Sequence, residues 1–405
     1  MRQLETHISD LIDRMAAGTN GPVAIAVSGG SDSLVLMLLA KAWSRRSGRN
    51  LIVLTVDHGL RPEAREEAEW VTAKAASLGL SARGLTWTPD KRSQDAARQG
   101  RHSLLAAAAR EAGAGLLLLG HTRTDVEETL LMRLARPTTL ASAVGPQPVS
   151  VSPVWPEGRD ILLGRPLIAV RRGHLMEMLA ERGESWVRDP SNESDAYERV
   201  RMRKLAGQLD AARLSRITDD AMRLRAVEDI QLADMLSAFV RIDPAGLVEL
   251  QMDRLAGSLR LRARLLSILL QTAAGSDSPV APQPLLALAS DLASGGPKSR
   301  LTLGGAWLQR RGGTLMIGRD PGEVCAGWQD GIWDGRYRRA APGGADVEES
   351  PFLVRHGMPD DPYEEILTGR LVLWEKALRL GARLGVELAG SGAQTLSPVA
   401  TTRPG

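Results

Sequence analysis

A short turn rich in glycine and serine, at residues 28–33, carries the residue types that hold phosphate groups. Its glycines let the backbone approach an anion, and its hydroxyls and the first amides of a following helix supply donors. The turn consists of Ser28, Gly29, Gly30, Ser31, Asp32 and Ser33. A carboxylate beside bound phosphates repels them unless a cation lies between, so Asp32 predicts Mg²⁺. The turn lacks the Gly-Lys-Ser/Thr ending of a Walker A motif, which argues against a kinase or GTPase.

Acidic residues also follow other apolar runs. Asp57 and His58 come directly after residues 51–56, although a histidine at the end of a strand is as often a structural group. Asp125 and Glu128 are three positions apart in a predicted helix and therefore share one face. Two carboxylates on one face can hold an ammonium group or share a metal, whereas on an ordinary surface helix they would only be solvated.

Arginines supply candidate anion-binding groups. Arg98 and Arg101 lie in one predicted helix and could bind a carboxylate or a phosphate, with simple solvation as the alternative. A second basic group, dense between residues 199 and 204, predicts a strip that contacts nucleic-acid phosphates. Its members are Arg188, Arg199, Arg201, Arg203 and Lys204.

Residues 21–145 alternate between strand and helix patterns. The predicted strands are Val23–Val27, Leu51–Asp57, Ala82–Trp87 and Gly115–Gly120. The predicted helices are Ser33–Arg46, Glu63–Leu78, Ser93–Ala112 and Thr124–Ala135. This alternation predicts an α/β fold with a doubly wound parallel sheet, in which ligands bind at the carboxyl ends of the strands. The polar residues after the first, second and fourth strands should therefore meet at one edge of the sheet.

The remaining chain divides by composition into three further parts after a nucleotide-binding domain at residues 1–145. Residues 146–205 predict a helical extension that carries the basic strip, with residues 137–160 mostly loop. Residues 206–322 predict a mostly helical domain with a β-hairpin at Leu301–Gly318. Residues 323–405 predict a divergent tail, rich in proline, glycine and acidic residues, with one helix at 363–384 and disorder over the last twenty residues.

Composition excludes several classes of site. The 405-residue chain has a net charge of +3 and a single cysteine, Cys325, which excludes disulfides within the chain and cysteine-based zinc or iron–sulfur cages. Aromatic residues make up only 3%, too few for an extended base-stacking platform. The first fifteen residues resemble an amphipathic helix rather than a signal peptide, and no apolar stretch is long enough to span a bilayer, so a cytoplasmic protein is expected.

The phosphate turn resembles the signature of the N-type ATP pyrophosphatases, or PP-loop enzymes. Within that superfamily the chain is similar to the tRNA(Ile)-lysidine synthetases, well over residues 21–205 and loosely over 206–320. The similarity rests on Val-Asp-His-Gly-Leu-Arg at 56–61 and Ala-Arg-x-x-Arg at 97–101. It rests further on residues 121–129, where the chain keeps His121, Asp125, Glu128 and Thr129 of the family pattern His-x-x-Asp-Asp-x-x-Glu-Thr. It also rests on Trp-x-x-Asp-x-Ser-Asn at 186–192, followed by Arg199 and Arg203.

The chain departs from the family pattern at several positions. Thr124 replaces the first aspartate, His102 replaces a tyrosine, and Val200 replaces an asparagine. The family's glycines after Arg136 are replaced by Pro-Thr-Thr-Leu-Ala-Ser-Ala, and the tail after residue 323 matches poorly. These departures leave a degenerate, non-catalytic tRNA-binding relative as one alternative.

The resemblance implies an ATP-dependent carbon–nitrogen ligase that modifies the wobble cytidine in the CAU anticodon of isoleucine tRNA with L-lysine. It implies ATP and Mg²⁺ at the phosphate turn, with Asp57 and His58 beside the nucleotide and Asp32 on the metal. Asp125 and Glu128 would then bind the lysine amine, with Arg98 and Arg101 on its carboxylate, and Arg199 and Arg203 would act in catalysis. Two other PP-loop classes are less favoured: a tRNA thiolase needs cysteines near the turn, and a small-molecule ligase would not need the basic strip.

Overall fold

The computed structural model describes residues 2–57, 59, 63–88, 93–187, 198–243, 246–253, 255, 257–295, 299–325, 328–339 and 363–391. These residues form two compact units. The first unit comprises Met1–Ser152, Ile161–Asp229 and Ala377–Gly405, and the second comprises Pro153–Asp160 and Ile230–Lys376. The units do not coincide with the four segments expected from composition, since residues 377–391 belong to the first unit.

The first unit is an α/β assembly. Its helices are α1 (Arg2–Ala16), α2 (Ser31–Ser47), α3 (Glu63–Ser77), α4 (Gln94–Glu111), α5 (Arg123–Leu134), α6 (Leu140–Ala143), α7 (Arg172–Glu181) and α8 (Glu198–Gln208). Its strands are β1 (Val23–Ala26), β2 (Leu51–Asp57), β3 (Ser81–Thr86), β4 (Leu116–Leu118), β5 (Val149–Val151) and β6 (Leu162–Gly164). The chain passes into the second unit within the long helix α9 (Ala211–Phe239).

The sheet of the first unit has the strand order β3-β2-β1-β4-β6-β5. Its first five strands run parallel, with Val23 opposite Leu51 and Ala24 opposite Leu117, and β5 pairs antiparallel with β6 at the edge. The expected α/β fold with a parallel sheet is confirmed, and β1–β4 and α2–α5 begin and end close to their predicted bounds. Strand β1 pairs with β2 on one side and β4 on the other, and its residues Val23, Ala24 and Ile25 are fully buried, as expected for an interior strand of a parallel sheet.

Strands β5 and β6 correct the expectation for residues 137–164. That stretch was expected to be loop and the start of a helical segment, yet it adds two strands to the sheet. Each strand has only three residues, which is too short for an alternating pattern to emerge from the sequence. The correction matters because β6 runs parallel to β4, so the residues that follow β6 lie at the same edge as the phosphate turn.

Within the described ranges, the second unit contains two antiparallel sheets, two complete α-helices and a short 3₁₀ helix at Pro321–Glu323. The helices are α10 (Leu259–Ala274) and α11 (Pro282–Ala293). One sheet has the order β7-β8-β11-β10-β9, formed by Val240–Ile242, Val248–Gln251, Thr314–Arg319, Ala306–Arg311 and Leu301–Leu303. The other has the order β12-β13-β14-β15, formed by Trp328–Gln329, Ile332–Trp333, Tyr337–Arg339 and Tyr363–Glu365. The expected hairpin is β10–β11, but this part of the chain has more strand than the sequence suggested.

The last described element is helix α12 (Leu367–Ser391). It extends beyond the helix expected at 363–384 and into the stretch expected to be disordered, while residues 392–405 lie outside the described ranges. An apolar face explains the extension, because Leu380, Leu384 and Leu388 recur every four positions and are buried. None of the described helices has the length and apolar character needed to cross a bilayer.

Candidate active site

The phosphate turn follows β1 and includes the first three residues of α2, and its backbone requires glycine. Gly29 has a φ of +86°, and a Cβ there would come within 2.8 Å of the side chain of Val187. Gly30 caps α2 without any side-chain hydrogen bond to the first helical amides, which leaves them available to an anion. Ser33 Oγ donates to Gly30 O at 3.0 Å and accepts from Ser28 N at 3.2 Å, so the turn closes on itself.

Other segments approach this turn closely. The amide of Val187 donates to Gly29 O at 3.0 Å, which attaches the chain after α7 to the turn. Gly120, two residues after β4, lies so near that a Cβ there would be 3.1 Å from Ser33 N. The carboxyl end of β4 therefore meets the start of α2, as the parallel sheet predicts.

Asp32 occupies the first turn of α2 and is paired with Arg172, an arginine that no sequence motif indicates. Arg172 Nε donates to Asp32 Oδ2 at 2.7 Å, and the Asp32 side chain is 15% exposed. Burial raises the pKa of Asp32, and the guanidinium group of Arg172 opposes only part of that effect. A cation at this carboxylate would further favour its ionised form.

Asp125 is held at the start of α5 by a capping box. Its Oδ2 accepts from Thr122 N and from Thr122 Oγ1, each at 2.8 Å. Its Oδ1 accepts from Arg172 Nη2 at 3.3 Å and from Arg199 Nη2 at 3.1 Å. Burial alone would raise the pKa of Asp125, but the two guanidinium groups and the Thr122 amide outweigh it, and the pKa is lowered.

Glu128 is fully buried one turn further along α5. Its two oxygens accept one guanidinium each, Oε2 from Arg199 Nε at 3.1 Å and Oε1 from Arg203 Nε at 2.6 Å. Both arginines lie on α8, which packs against α5. The structure thus brings together five predicted site residues: Asp32, Asp125, Glu128, Arg199 and Arg203.

These ion pairs form one continuous series, which we call the charge row. It runs in the order Asp32, Arg172, Asp125, Arg199, Glu128 and Arg203. Three carboxylates alternate with three guanidinium groups, so their formal charges cancel. The charge row links α2, α7, α5 and α8, and it connects the phosphate turn directly to the acidic face of α5.

Strand β6 is the one sequence feature that could have marked Arg172 as a candidate site residue. The residues after a parallel strand lie at the ligand edge, but β6 was not recognised, so Arg172 looked like any arginine in a helix. Its backbone amide donates to Thr124 Oγ1 at 3.3 Å. This bond gives Thr124, which replaces the family aspartate, a structural role at the start of α7.

The remaining predicted site residues are not members of the charge row, or they fall outside the described ranges. Asp57 ends β2 and accepts from Gly59 N through Oδ1 at 2.9 Å. Arg98 and Arg101 are exposed on α4, and Arg201 and Lys204 are exposed on α8. His58 and Arg188 fall outside the described residues.

Two histidines, the buried His102 and the half-buried His121, lie near Arg101 and the buried Arg165. Burial, followed by the charge of Arg101, lowers the pKa of His102 to about 3. Burial, followed by the charge of Arg165, lowers the pKa of His121 to about 3. Both imidazoles are therefore neutral near pH 7, and neither adds positive charge to the site.

The segment that lacks the family glycines is ordered within the first unit. Thr139 caps the short helix α6 by accepting from Ser142 N at 3.3 Å. Arg133 Nη1 donates to Ser142 O at 3.3 Å and to Val144 O at 2.6 Å. A Cβ on Gly145 would come within 2.7 Å of Thr129, so this glycine permits close packing against α5.

The acidic residues present fit a magnesium ion that arrives with phosphates. Within the described ranges, no group of three or more His, Cys, Asp or Glu side chains is placed to hold a metal alone. Mg²⁺ commonly takes one or two carboxylates and completes its shell with phosphate oxygens and water. Asp32, beside the phosphate turn and close to the hydroxyl of Ser31 at 3.1 Å, supplies such a ligand.

Comparisons with known proteins agree with this architecture. A family model described as a PP-loop domain matches residues 2–209. The tRNA(Ile)-lysidine synthase of Hyphomonas neptunium is 40% identical over 314 residues, which cover 76% of this chain and 83% of that protein. Proteins of the same name from Caulobacter vibrioides and Methylobacterium sp. are 35% and 38% identical. Those alignments cover 81% and 76% of this chain, and 76% and 91% of the respective relatives.

Proposed function

The chain belongs to the tRNA(Ile)-lysidine synthase family of PP-loop enzymes, and from this premise we propose that it joins L-lysine to C2 of the wobble cytidine in the CAU anticodon of isoleucine tRNA. It is accordingly an ATP-dependent ligase. One observation supports the detailed proposal more than any other. The charge row connects Asp32 in the phosphate turn to Asp125 and Glu128 on α5. A turn suited to binding a nucleotide therefore lies next to carboxylates suited to binding an amine.

In the proposed first step, the C2 oxygen of the cytosine attacks the α-phosphorus of ATP. The bond from that phosphorus to the bridging oxygen breaks, and pyrophosphate leaves. The phosphate turn holds the departing diphosphate through its backbone amides and serine hydroxyls. In this proposal, Asp57 and His58 contribute to binding the nucleotide. Mg²⁺, when bound with Asp32 as its protein ligand, offsets negative charge on the phosphates.

In the proposed second step, the ε-amine of lysine attacks C2, the bond from C2 to its oxygen breaks, and AMP leaves with that oxygen. A free lysine amine has a pKa of about 10.4, so the ammonium must lose a proton before it attacks. Asp125 and Glu128 position the amine, and one of them accepts the proton. The lowered pKa of Asp125 keeps it ionised, which suits it to binding the ammonium.

The arginines divide into two proposed roles. Arg98 and Arg101 bind the carboxylate of the lysine substrate. Arg199 and Arg203 lie at the end of the charge row that is farther along the series from Asp32. They neutralise the negative charge of the adenylate, because a guanidinium pairs well with a phosphate. The exposed Arg201 and Lys204, with Arg188, contact the tRNA backbone together with those two residues.

The proposal also includes the organisation of the chain. Residues 1–145 carry nucleotide binding and catalysis, residues 146–205 carry the basic strip, and residues 206–322 and 323–405 form the C-terminal regions. The protein acts in the cytoplasm, where its tRNA substrate is found. The thiolase alternative is not favoured, since Cys325 is the single cysteine of the chain.

The test is an incorporation assay. The purified enzyme is incubated with ATP, Mg²⁺ and radiolabelled L-lysine, and separately with isoleucine tRNA that carries CAU, methionine tRNA, and isoleucine tRNA with another anticodon. Label is expected in the first tRNA alone, together with stoichiometric AMP and pyrophosphate. Absence of label from all three, with ATP binding intact, would contradict the proposal and favour a non-catalytic tRNA-binding relative.

A further inference from the structure

The saturation of Asp125 points to a role for Arg172 that the reaction scheme does not contain. A carboxylate oxygen offers about two acceptor positions. Thr122 occupies both positions of Asp125 Oδ2, through its amide and its hydroxyl. Arg172 and Arg199 occupy both positions of Oδ1. An incoming ammonium group therefore finds no free acceptor on Asp125 until one of these donors leaves.

Arg172 is the donor that a nucleotide can remove. Its guanidinium group bonds Asp32 through Nε at 2.7 Å and Asp125 through Nη2 at 3.3 Å, the longer of the two bonds on Asp125 Oδ1. Because Asp32 belongs to the phosphate turn, phosphates bound there lie next to this guanidinium. A planar guanidinium pairs with phosphate oxygens through two parallel bonds, so phosphates compete well for it.

Arg199 is held more firmly by its surroundings. It bonds Asp125 at 3.1 Å and also Glu128 at 3.1 Å, and Glu128 is fully buried. Its departure would leave the enclosed Glu128 with Arg203 as its remaining partner in the charge row. The departure of Arg172, in contrast, leaves both guanidinium partners of the buried Glu128, Arg199 and Arg203, in place.

We propose that Arg172 is a positioning residue that makes the binding of lysine depend on the nucleotide. Without nucleotide, Arg172 is shared between Asp32 and Asp125 and blocks the ammonium site. When phosphates fill the turn, they draw the guanidinium away, which frees Asp125 for the amine and Asp32 for a cation. This inference rests on the proposed function, because it takes lysine as the amine substrate.

The experiment measures lysine affinity by isothermal titration calorimetry, with and without Mg²⁺ and α,β-methylene-ATP, a non-cleavable analogue. In the wild-type enzyme, the analogue is expected to strengthen lysine binding about tenfold. In Arg172→Gln without nucleotide, lysine is expected to bind about as tightly as it binds the wild-type enzyme with the analogue bound. Adding the analogue to this variant should therefore change the lysine affinity little. The tighter binding without nucleotide is opposite to the loss of affinity that local misfolding would cause.

Two further variants sharpen the result. Arg172→Lys keeps the charge, but a single ammonium cannot span both carboxylates, so the effect of the analogue should also shrink. Arg171→Gln is the matched control, because Arg171 pairs with Glu127 rather than with the charge row and should keep the wild-type effect. A wild-type effect in Arg172→Gln or in Arg172→Lys would overturn the inference.

The outcomes also separate the inference from the proposed function. Equal lysine affinity with and without the analogue in the wild-type enzyme would overturn the proposed role of Arg172. It would not contradict the proposed ligase activity. No lysine binding in either state, combined with no label in the incorporation assay, overturns both.

Discussion

Two neighbouring glutamates on α5, Glu127 and Glu128, illustrate two kinds of buried ion pair in one helix. Glu127 accepts from Arg123 Nε at 3.1 Å and from Arg171 Nη2 at 2.8 Å. Arg123 continues to Asp219 at 2.7 Å and to Ser215 O at 2.7 Å, both on α9. We call this group the anchor network, and it joins α5, α9 and Arg171, the residue directly before α7.

The anchor network and the charge row differ chiefly in access to solvent. In the anchor network, the side chains of the central pair, Arg123 and Glu127, are 5% and 3% exposed, whereas Arg171 at its edge is 46% exposed. In the charge row, Glu128 is enclosed, but its partners Arg199 and Arg203 are 39% and 33% exposed. A guanidinium group that water can reach stays solvated when it leaves a partner, whereas a sealed one loses its partner without gaining water. The same pairing of residue types thus serves stability on one side of α5 and suits ligand exchange on the other.

The largest effect is expected at the phosphate end of the charge row. Asp32→Ala should reduce ATP–pyrophosphate exchange, measured with tRNA present, by about a thousandfold or more, because the phosphates lose the cation that Asp32 helps to hold. Asp220→Ala is a matched control, since Asp220 is an exposed carboxylate on α9 paired with Arg223. Exchange at nearly the wild-type rate in Asp32→Ala would remove Asp32 from this role.

The anchor network should respond in stability rather than in activity. Glu127→Gln should lower the free energy of unfolding by about 3 kcal/mol, because the buried Arg123 loses one of its two carboxylate partners. Urea unfolding followed by circular dichroism gives this value. The KM for lysine of the enzyme that remains folded should stay unchanged. A raised KM for lysine with an unchanged free energy of unfolding would contradict the assignment of the anchor network to stability.

Glu128→Gln should show the reverse pattern. The KM for lysine should rise about 10- to 100-fold, since the amine loses a charged acceptor worth about 1.5–3 kcal/mol. Equilibrium binding of ATP should persist, and the melting temperature should change little, because water can solvate Arg199 and Arg203. Steady-state kinetics with varied lysine tests this expectation, and an unchanged dependence on lysine would exclude Glu128 from binding the amine.

The smallest effect concerns His102, at the position of the family tyrosine. Its pKa of about 3 in the folded protein lies below the ordinary value of 6.5, so below pH 6.5 the unfolded chain binds a proton that the folded chain does not. Stability should therefore fall as the pH drops from 6.5 towards 3, by up to about 2 kcal/mol at pH 5 from this group. His102→Gln should reduce the difference in unfolding free energy between pH 7.5 and pH 5 accordingly, and an undiminished difference would contradict the shift.

Regular patterns made much of the first unit predictable. The alternation of apolar and polar segments predicted β1–β4 and α2–α5, because each element is long enough to show its period. The phosphate turn was predictable because glycine and hydroxyl residues directly follow a buried strand. Strands β5 and β6 were not predictable, since three residues show no period, and the second unit contained more strand than its composition suggested. Helix α12 was underestimated because its apolar face matters only when a partner surface buries it.

The order of residues along the chain was enough to identify the phosphate turn, the parallel sheet and the acidic pair on α5, because each is a local pattern with a physical meaning of its own. The pairing within the charge row depends on folding. Asp32 and Arg172 are 140 positions apart, and Arg199 lies 74 positions from Asp125, so neither partner carries a local mark of the other. Only the packing of α7 and α8 against α2 and α5 selects these guanidinium groups, since ion pairs are made by proximity in space and many arginines in the sequence offer the same chemistry.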